Sequence, residues 1–542
     1  MQSGGVSRNF ITSRDVEDRW LAGERDIRLG PDDVVTAEAQ ERATRLGVRL
    51  TRIAAAPAAE VAAQAPPGEG MAAERAPEMV SAVQCVPRAE RTPALRADWR
   101  LDLLVEGGRV VIPGEGIFET DVWVKDGRVV GLASHGPGAA EVIDARGKLV
   151  LPGVVDPHVH LGLFSPLEED LESETRSALL GGVTTIGCFF GGSDSHLPLI
   201  ERLPGLVAEH SAVDLFPHLV IGTRQQLEEI PRYVEQGVTS FKLYMCGLPG
   251  LIPEVDDGFL LAALRRCAEA GQGCVVCVHA ENAAVVAWAT KESGRAASLR
   301  QWAETHPALA EEEAIRCLCC LARVAGATVY VVHVTSAGGL QAVREARDAG
   351  TRVFAEVASP YLVATWDSDR GSVAKMVPPF RGEEDREALW RGVEDGTVTA
   401  LGTDNVTLTA EQKGLGKDLW DVMPGYPALA THLPAVLTEG VLGRSVSPVR
   451  IAELMCRQPA QVFGLFPRKG TLLPGSDADA VVVDLQQRRI VRSQMLGSRA
   501  EFSLFEGREL AGWPSATVKG GRVVVHDGVL AGNLLRGRLI MR

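Results

Sequence analysis

Two histidines one residue apart, in Asp156-Pro157-His158-Val159-His160, are the first sign of chemistry in this chain. On an extended strand alternate side chains share a face, so both imidazoles point the same way and can grip one ion. Four more groups stand at the ends of later apolar runs: Lys242 in SFKLYM, His279 in VHAEN, His333 in VVHVTS and Asp404 in LGTDN. Each alone has a plainer reading. A strand-end histidine can be a core or rim residue, a lysine in an apolar strand can snorkel to the surface, and an aspartate can cap the next helix. Six such groups at successive strand ends point jointly to a metal centre, because every plain reading would have to hold at once.

The runs that carry these groups are LVLPGVVD, GVTTIGCFF, DLFPHLVIG, GVTSFKLYM, GCVVCVHA, TVYVVHV, RVFAEVA and TVTALGTD. Stretches of helical period such as DGFLLAALRRCAEAG and EEEAIRCLCCLARVAG separate them. Eight continuous apolar strands alternating with helices predict a (β/α)8 barrel over residues 151–465, with a doubly wound open sheet as the competing α/β fold. In a barrel the active site lies at the C-terminal ends of the strands, where the six groups fall. Cys274 and Cys277 form a CxxC, but three apart on a strand they face opposite sides and read as buried apolar cysteines.

On either side of this middle the texture changes. LDLLVEGGRVVIPGEGIFETDVWVKDGRVVGLA, within residues 99–150, alternates apolar and polar residues between glycine-rich turns. DADAVVVDLQQRRIVRS and SATVKGGRVVVHDGVLAG, within 466–542, do the same, which predicts one β domain built from both chain ends. Residues 54–98, rich in Ala, Pro and Glu, cannot bury enough surface to offset ordering entropy and read as a disordered linker. Residues 1–53 form a small extension, expected to be helical across VVTAEAQERATRLGVRL with Thr36 at its start. Val34, Val35, Leu46, Val48 and Leu50 beside Arg42, Arg45 and Arg49 suit a docking groove, with microcompartment cargo as one form of partner and packing on its own barrel or a sister subunit as the alternative.

Composition sets outer limits. The 542 residues are 46% apolar and 23% charged, and 56 Lys plus Arg against 70 Asp plus Glu leave a formal charge of −14. An acidic balance argues against nucleic-acid and anionic-membrane partners. No apolar run is long enough to span a membrane and the first residues lack a secretory signal. Ten cysteines, three of them in CLCC, do not resemble a disulfide framework, and the expected compartment is the cytosol.

From about residue 100 to 530 the sequence resembles the amidohydrolase superfamily, in the cyclic-amide branch of hydantoinases, dihydropyrimidinases, allantoinases and dihydroorotases. The resemblance is carried by LPGVVDPHVHL, GVTSFKLYM, VHAEN, ETHP with EEEAI, HVTSAGG, Pro378-Pro379 and FGLFPRKGTLLPGSDADAVVVD. It implies a TIM barrel beside a β-sandwich from both chain ends, in a homo-oligomer, dimer or tetramer. It also implies two divalent ions, zinc foremost, with manganese, cobalt or ferrous iron as alternatives. His158, His160 and Asp404 would hold the more buried ion, His279 and His333 the second. Lys242 would bridge them as N-carboxylysine, since an ammonium has no acceptor with which to ligate. A bridging hydroxide would then attack the ring carbonyl, with Asp404 as general base and then acid.

Departures from the family pattern bear on substrate. The tyrosine usual five residues past the bridging lysine is Gly247, the carboxylate-binding arginine of dihydroorotases is Gly162, and the residue after the strand-eight aspartate is Asn405 rather than His. Pro424 falls where hydantoinases carry an asparagine. Ser359 stands where the family contacts the ring amide, and Phe164 and Tyr244 are candidates for the pocket wall or for ordinary core. Arg224 reads as a surface residue. The expected activity is opening of a cyclic amide, ureide or imide, hydantoin-like rings first. The alternatives are an allantoinase- or dihydroorotase-like enzyme, or a non-catalytic dihydropyrimidinase-like scaffold.

Overall fold

Short runs dense in Val, Ile and aromatic residues suit a pleated, fully buried strand, and all eight take that form in a computed structural model of the chain. The structure describes residues 100–542 apart from 135, 249–251 and 272. Of the first 99 residues it describes 10–11, 16, 19, 26–29, 34–35, 37–46 and 48–52. The chain divides into two units, Met1–Leu101 and Asp102–Arg542.

The second unit contains the barrel. Its strands are β1 (Val154–His160), β2 (Val183–Phe190), β3 (Asp214–Val220), β4 (Ser240–Tyr244), β5 (Val275–His279), β6 (Val329–Val331), β7 (Val353–Ala358) and β8 (Ala400–Gly402). Each pairs in parallel with the next. The ring closes through a broken last strand. After β8 the chain turns at Thr403 and Asp404, and Asn405–Val406 pair with Val159 and His160 of β1. The open-sheet alternative is thereby excluded. Helices such as Arg224–Glu235, Asp257–Ala270 and Ala337–Asp348 return the chain between strands, and their first turns are capped by Thr223, Asp256 and Ser336.

Both chain ends build one sheet beside the barrel, as the alternating texture predicted. Leu149–Pro152 runs antiparallel to Ala480–Val483, which pairs with Pro514–Lys519, and on its other side parallel to Leu101–Ile112. The strands form a single hydrogen-bonded sheet of nine rather than two separate ones. Leu101–Ile112 bends through a register shift between Val105 and Gly108, where a Cβ on Gly108 would stand 2.5 Å from Val150 Cγ2. The apolar run LVLPGVVD is divided at Gly153: its first half joins this sheet and its second half is β1. A Cβ at Gly153 would stand 2.2 Å from Thr184 Oγ1.

Barrel and sheet are joined by a buried ionic cluster. Asp214, at the start of β3, receives Lys469 (2.7 Å), Lys519 (3.0 Å) and Arg538 (2.7 Å). Lys469 also meets Asp477 and Asp479 of the DADA segment. Burial alone would raise the Asp214 carboxyl, but Lys469, Lys519 and Arg538 hold it well below the usual carboxylate range. The carboxylates of Asp214, Asp477 and Asp479 are grouped closely enough for a cation, and ammonium and guanidinium groups already answer them.

The first unit is not simply helical. The helix is Ala37–Leu46, but Asp26–Leu29 pairs in parallel with Arg49–Arg52, and Phe10–Ile11 with Val34–Val35. Val48 is buried with Ile27, Leu29, Ala39 and Ala43, and Val35, Leu46 and Leu50 pack against them. Four of the five apolar residues expected to anchor a partner therefore serve the module's own core, an outcome that helical periodicity alone did not foresee. The side chain of Val34, and Thr36 and the linker 54–98, lie outside the described residues. Among the described residues no helix is long and apolar enough to cross a membrane.

Candidate metal centre

The tops of the strands bring the six groups together, five of them lining one cavity and His158 buried beside His160. His158 Nε2 and His160 Nε2 lie 3.2 Å apart, and each is 3.2 Å from Asp404 Oδ1. His279 Nδ1 lies 3.0 Å from His333 Nε2, and the His158 and His333 rings stack with centroids 5.5 Å apart. Lys242, fully buried, lines the same cavity as His160, His279, His333 and Asp404. The snorkelling and capping readings fail: Lys242 stays inside, and the next helix is capped by Thr409, not Asp404.

Partners on the far side of each ring decide which nitrogen faces the cavity. His158 Nδ1 pairs with Glu356 Oε1 at 2.6 Å, and the tautomer that donates from Nδ1 to this carboxyl oxygen leaves the Nε2 lone pair free. His279 Nε2–H donates to Glu281 Oε2 at 2.8 Å, which frees Nδ1. Glu281 Oε1 in turn meets His306 Nδ1 at 3.2 Å. Burial alone would raise the Glu281 carboxyl, yet His306 and His279 hold it well below its usual range. Glu356 also accepts the His333 backbone N–H at 3.1 Å, so one carboxylate braces both histidine groups. Such orienting carboxylates are the usual companions of metal-ligating imidazoles.

Backbone conformation serves the same end. His333 and Asp404 have φ of 39° and 53°, in the left-handed region that non-glycine residues seldom adopt. Asp156 steadies the broken strand: its carboxylate accepts Thr403 Oγ1–H at 2.6 Å and the backbone N–H groups of His158 and Thr403. Gly402 lets β7 and β1 approach, since a Cβ there would be 2.9 Å from His158 Cβ. Phe189 of β2 packs against His158, His160 and His218, with Lys242 Nζ 4.9 Å from its ring centre.

The electrostatics suit cation ligands. Burial pushes His160 and His279 down and His333 further, so these imidazoles are neutral at pH 7. Burial alone would raise Asp404, but His158 and the hydrogen bond from His160 hold it at about 2, ionised. Burial lowers Lys242 to about 8, and its Nζ has no hydrogen-bond partner. An orphaned buried amine among neutral imidazoles and an ionised carboxylate is costly in isolation. It is a fitting arrangement for two divalent cations with a carbamate on Lys242.

The substrate side is mainly apolar. The cavity holds about 920 Å³ of empty space including its mouth, and Phe164, Tyr244, Leu248, Ile252, Met376, Val377 and Met423 line it. Phe164 and Tyr244 thus stand on the wall. Ser359 does not line the cavity; its hydroxyl pairs with His432 Nδ1 at 2.8 Å. Pro424 lines the cavity, and Arg224 is exposed, paired with Glu228. Cys274 and Cys277 are free, buried and in different core clusters. Glu356, Glu281, Asp156 and Phe189 were not singled out from the sequence. The acid inside the apolar run RVFAEVA and the one in VHAEN were the available signals.

A parallel barrel with imidazoles, a carboxylate and an orphaned lysine at its C-terminal mouth defines a metal-dependent hydrolase architecture. The sequence model of the amidohydrolase family matches residues 149–524, and the chain belongs to that family. It is similar to an L-hydantoinase of Paenarthrobacter aurescens, 34% identical over 445 residues that cover 79% of this chain and 95% of that one. A D-hydantoinase of Streptomyces coelicolor is 34% identical over 455 residues, covering 78% and 94%. Among solved structures, the L-hydantoinase (dihydropyrimidinase) from Arthrobacter aurescens superposes with a TM-score of 0.77 at 32% identity, covering 82% of this chain and all of that one.

Proposed function

We propose that this protein is a metal-dependent hydrolase that opens the ring of a cyclic amide, ureide or imide, with hydantoin-like rings first. The observation that carries the reading is the buried, unpartnered Lys242 Nζ at the cavity shared by His160, His279, His333 and Asp404. The names of the relatives, L-hydantoinase and D-hydantoinase, support the substrate class.

His158 Nε2, His160 Nε2 and Asp404 would hold one divalent ion, His279 Nδ1 and His333 Nε2 the other, and Lys242 as N-carboxylysine would be shared. Zinc is the first expectation for both. When bound, such ions polarise a carbonyl and make water nucleophilic at neutral pH. Asp404, ionised at the cavity wall, accepts the proton of the attacking water and delivers it to the ring nitrogen as the C–N bond breaks. The apolar wall excludes bulk water and receives the ring substituent. Phe164 and Tyr244 belong to that wall, and Ser359, at the end of β7, is kept as a candidate contact to the ring amide although its hydroxyl pairs with His432. The cysteines, free among the described residues, suit the cytosol, and the family resemblance supports a homo-oligomer, dimer or tetramer. The chain reads as an extension (1–53), a linker (54–98), a barrel (151–465) and a β domain from 99–150 and 466–542.

The test is metal analysis followed by a panel of hydantoins, dihydropyrimidines, allantoin and dihydroorotate scored for ring opening. Two equivalents of metal and turnover of a hydantoin are expected. Metal-replete protein that opens no ring refutes the reading, and a chain that binds no metal is a scaffold.

A further inference from the structure

Amide hydrolysis places negative charge on the carbonyl oxygen as the nucleophile adds, and a neutral donor fixed beside that oxygen favours the transition state over the ground state. The cavity wall offers few candidates. Apart from the ligand candidates, its polar side chains are Tyr244 and Cys246. Among the described residues no serine or threonine hydroxyl lines it, and a thiol is a weak donor.

The chain has five tyrosines. Tyr233 donates to Glu229, Tyr361 donates to Pro378 O, and Tyr330 and Tyr426 are sealed in the core. Only Tyr244 lines the cavity, and its hydroxyl makes no hydrogen bond to any described residue. It stands two residues beyond Lys242 on β4, hence on the same face of the strand. Its ring lies 4.7 Å from Lys242 Nζ and 5.7 Å from the His279 ring centre.

Nearby backbone excludes a side chain from supplying this donor three residues later. Leu248 and Ile252 exchange backbone hydrogen bonds, which draws the loop tight at Gly247. A Cβ there would stand 2.5 Å from Ile252 O and 2.9 Å from Glu254 N. Position 247 therefore admits only glycine in this loop.

We propose that the Tyr244 hydroxyl is the hydrogen-bond donor to the carbonyl oxygen of the ring during hydrolysis, a catalytic residue of this chain; the inference rests on the ring-opening function proposed above. As the water oxygen bonds to the carbonyl carbon, the C=O π pair moves onto oxygen and the phenol O–H donates to it. When the C–N bond breaks the pair returns, and the phenol keeps its proton throughout.

The experiment compares wild type with Tyr244→Phe, which keeps the ring and its packing, in the metal-replete full chain. With 5-phenylhydantoin as substrate, kcat should fall about 100-fold with KM little changed, the loss expected for one such donor. Metal content should be unaltered. A cyclic phosphinate that imitates the tetrahedral state should bind the variant about 100-fold more weakly, while the planar hydantoin ring binds equally. Unchanged kcat and phosphinate affinity, or a rise in KM alone, would overturn the assignment and leave Tyr244 as wall. Loss of metal would make its role structural and overturn it too. Failure of the wild type to open any ring refutes the function itself, an outcome separate from equal performance of the two proteins.

Discussion

Glu356 Oε1 sits 2.6 Å from His158 Nδ1 and 3.1 Å from the backbone nitrogen of His333, so one carboxylate on β7 orients a ligand candidate on β1 and the turn that presents another on β6. The bond to His158 fixes the tautomer with Nε2 free for a cation. Glu356→Gln keeps the shape but lets the amide donate to Nδ1, which would place the ring hydrogen on Nε2. Metal affinity should drop about 10–100-fold, as for other orienting partners of ligating histidines. Competition with a chelator of known affinity measures it. Unchanged affinity would reduce Glu356 to a packing residue.

Lys242 gives a prediction with a pH dependence. Lys242→Ala should lose nearly all activity, and short carboxylic acids should restore part of it by occupying the place of the carbamate. Carbamate formation needs the neutral amine. An exposed lysine titrates at about 10.4, whereas burial puts Lys242 at about 8. In metal-free protein the reactive fraction therefore rises as pH climbs through 8, and roughly one molecule in ten carries a free amine at pH 7. Labelled bicarbonate followed by carbon NMR should show a carbamate signal growing from pH 7 to 9. Full activity of the alanine variant without any added acid would remove Lys242 from the centre.

The six ligand candidates were legible in the sequence because strand ends are local: an apolar run followed by a polar residue announces both the strand and its mouth. Their braces were harder to see. Glu356 lies 198 residues from His158, and nothing local distinguishes a carboxylate that meets an imidazole from one that ends in solvent. Ser359 shows the same limit: it follows β7 directly, and its hydroxyl meets His432, a pairing across 73 residues that nothing local announces. The first unit was misjudged because two-residue and four-residue strands are too short to show a period. The parallel pair Asp26–Leu29 and Arg49–Arg52 becomes apparent only once the helix between them is placed.

Lys469 couples barrel and sheet, and its removal should be costly. Its ammonium is buried against Asp214, Asp477 and Asp479, so Lys469→Met leaves carboxylates short of a counter-charge. Losing one partner of a buried pair costs about 3–5 kcal/mol. The sign with pH follows from Asp214, whose folded carboxyl lies well below its unfolded value. Its contribution is present above the unfolded pKa of about 3.9 and is lost as pH falls toward the folded one. The variant's thermal inactivation midpoint should therefore lie well below wild type at pH 7, with the gap narrowing below about pH 4. A midpoint equal to wild type at pH 7 would mean that Lys519 and Arg538 suffice.

Residues 1–95 should be dispensable for chemistry. Every group assigned to the centre lies between Asp156 and His432, and the family match begins only at residue 149. The first unit has its own buried core of Val16, Ile27, Leu29, Ala39, Ala43 and Val48, so its stability does not require the centre to be intact. Removal of residues 1–95 stops short of the strand Leu101–Ile112, whose pairing with Gly116–Lys125 the β domain needs. The truncated protein should keep its metal content and its ring-opening rate, since every group assigned to the centre is retained. Sedimentation should give the same oligomer for both. An inactive truncation, or one that dissociates to monomers, would make the extension a structural part of the enzyme rather than an appended module.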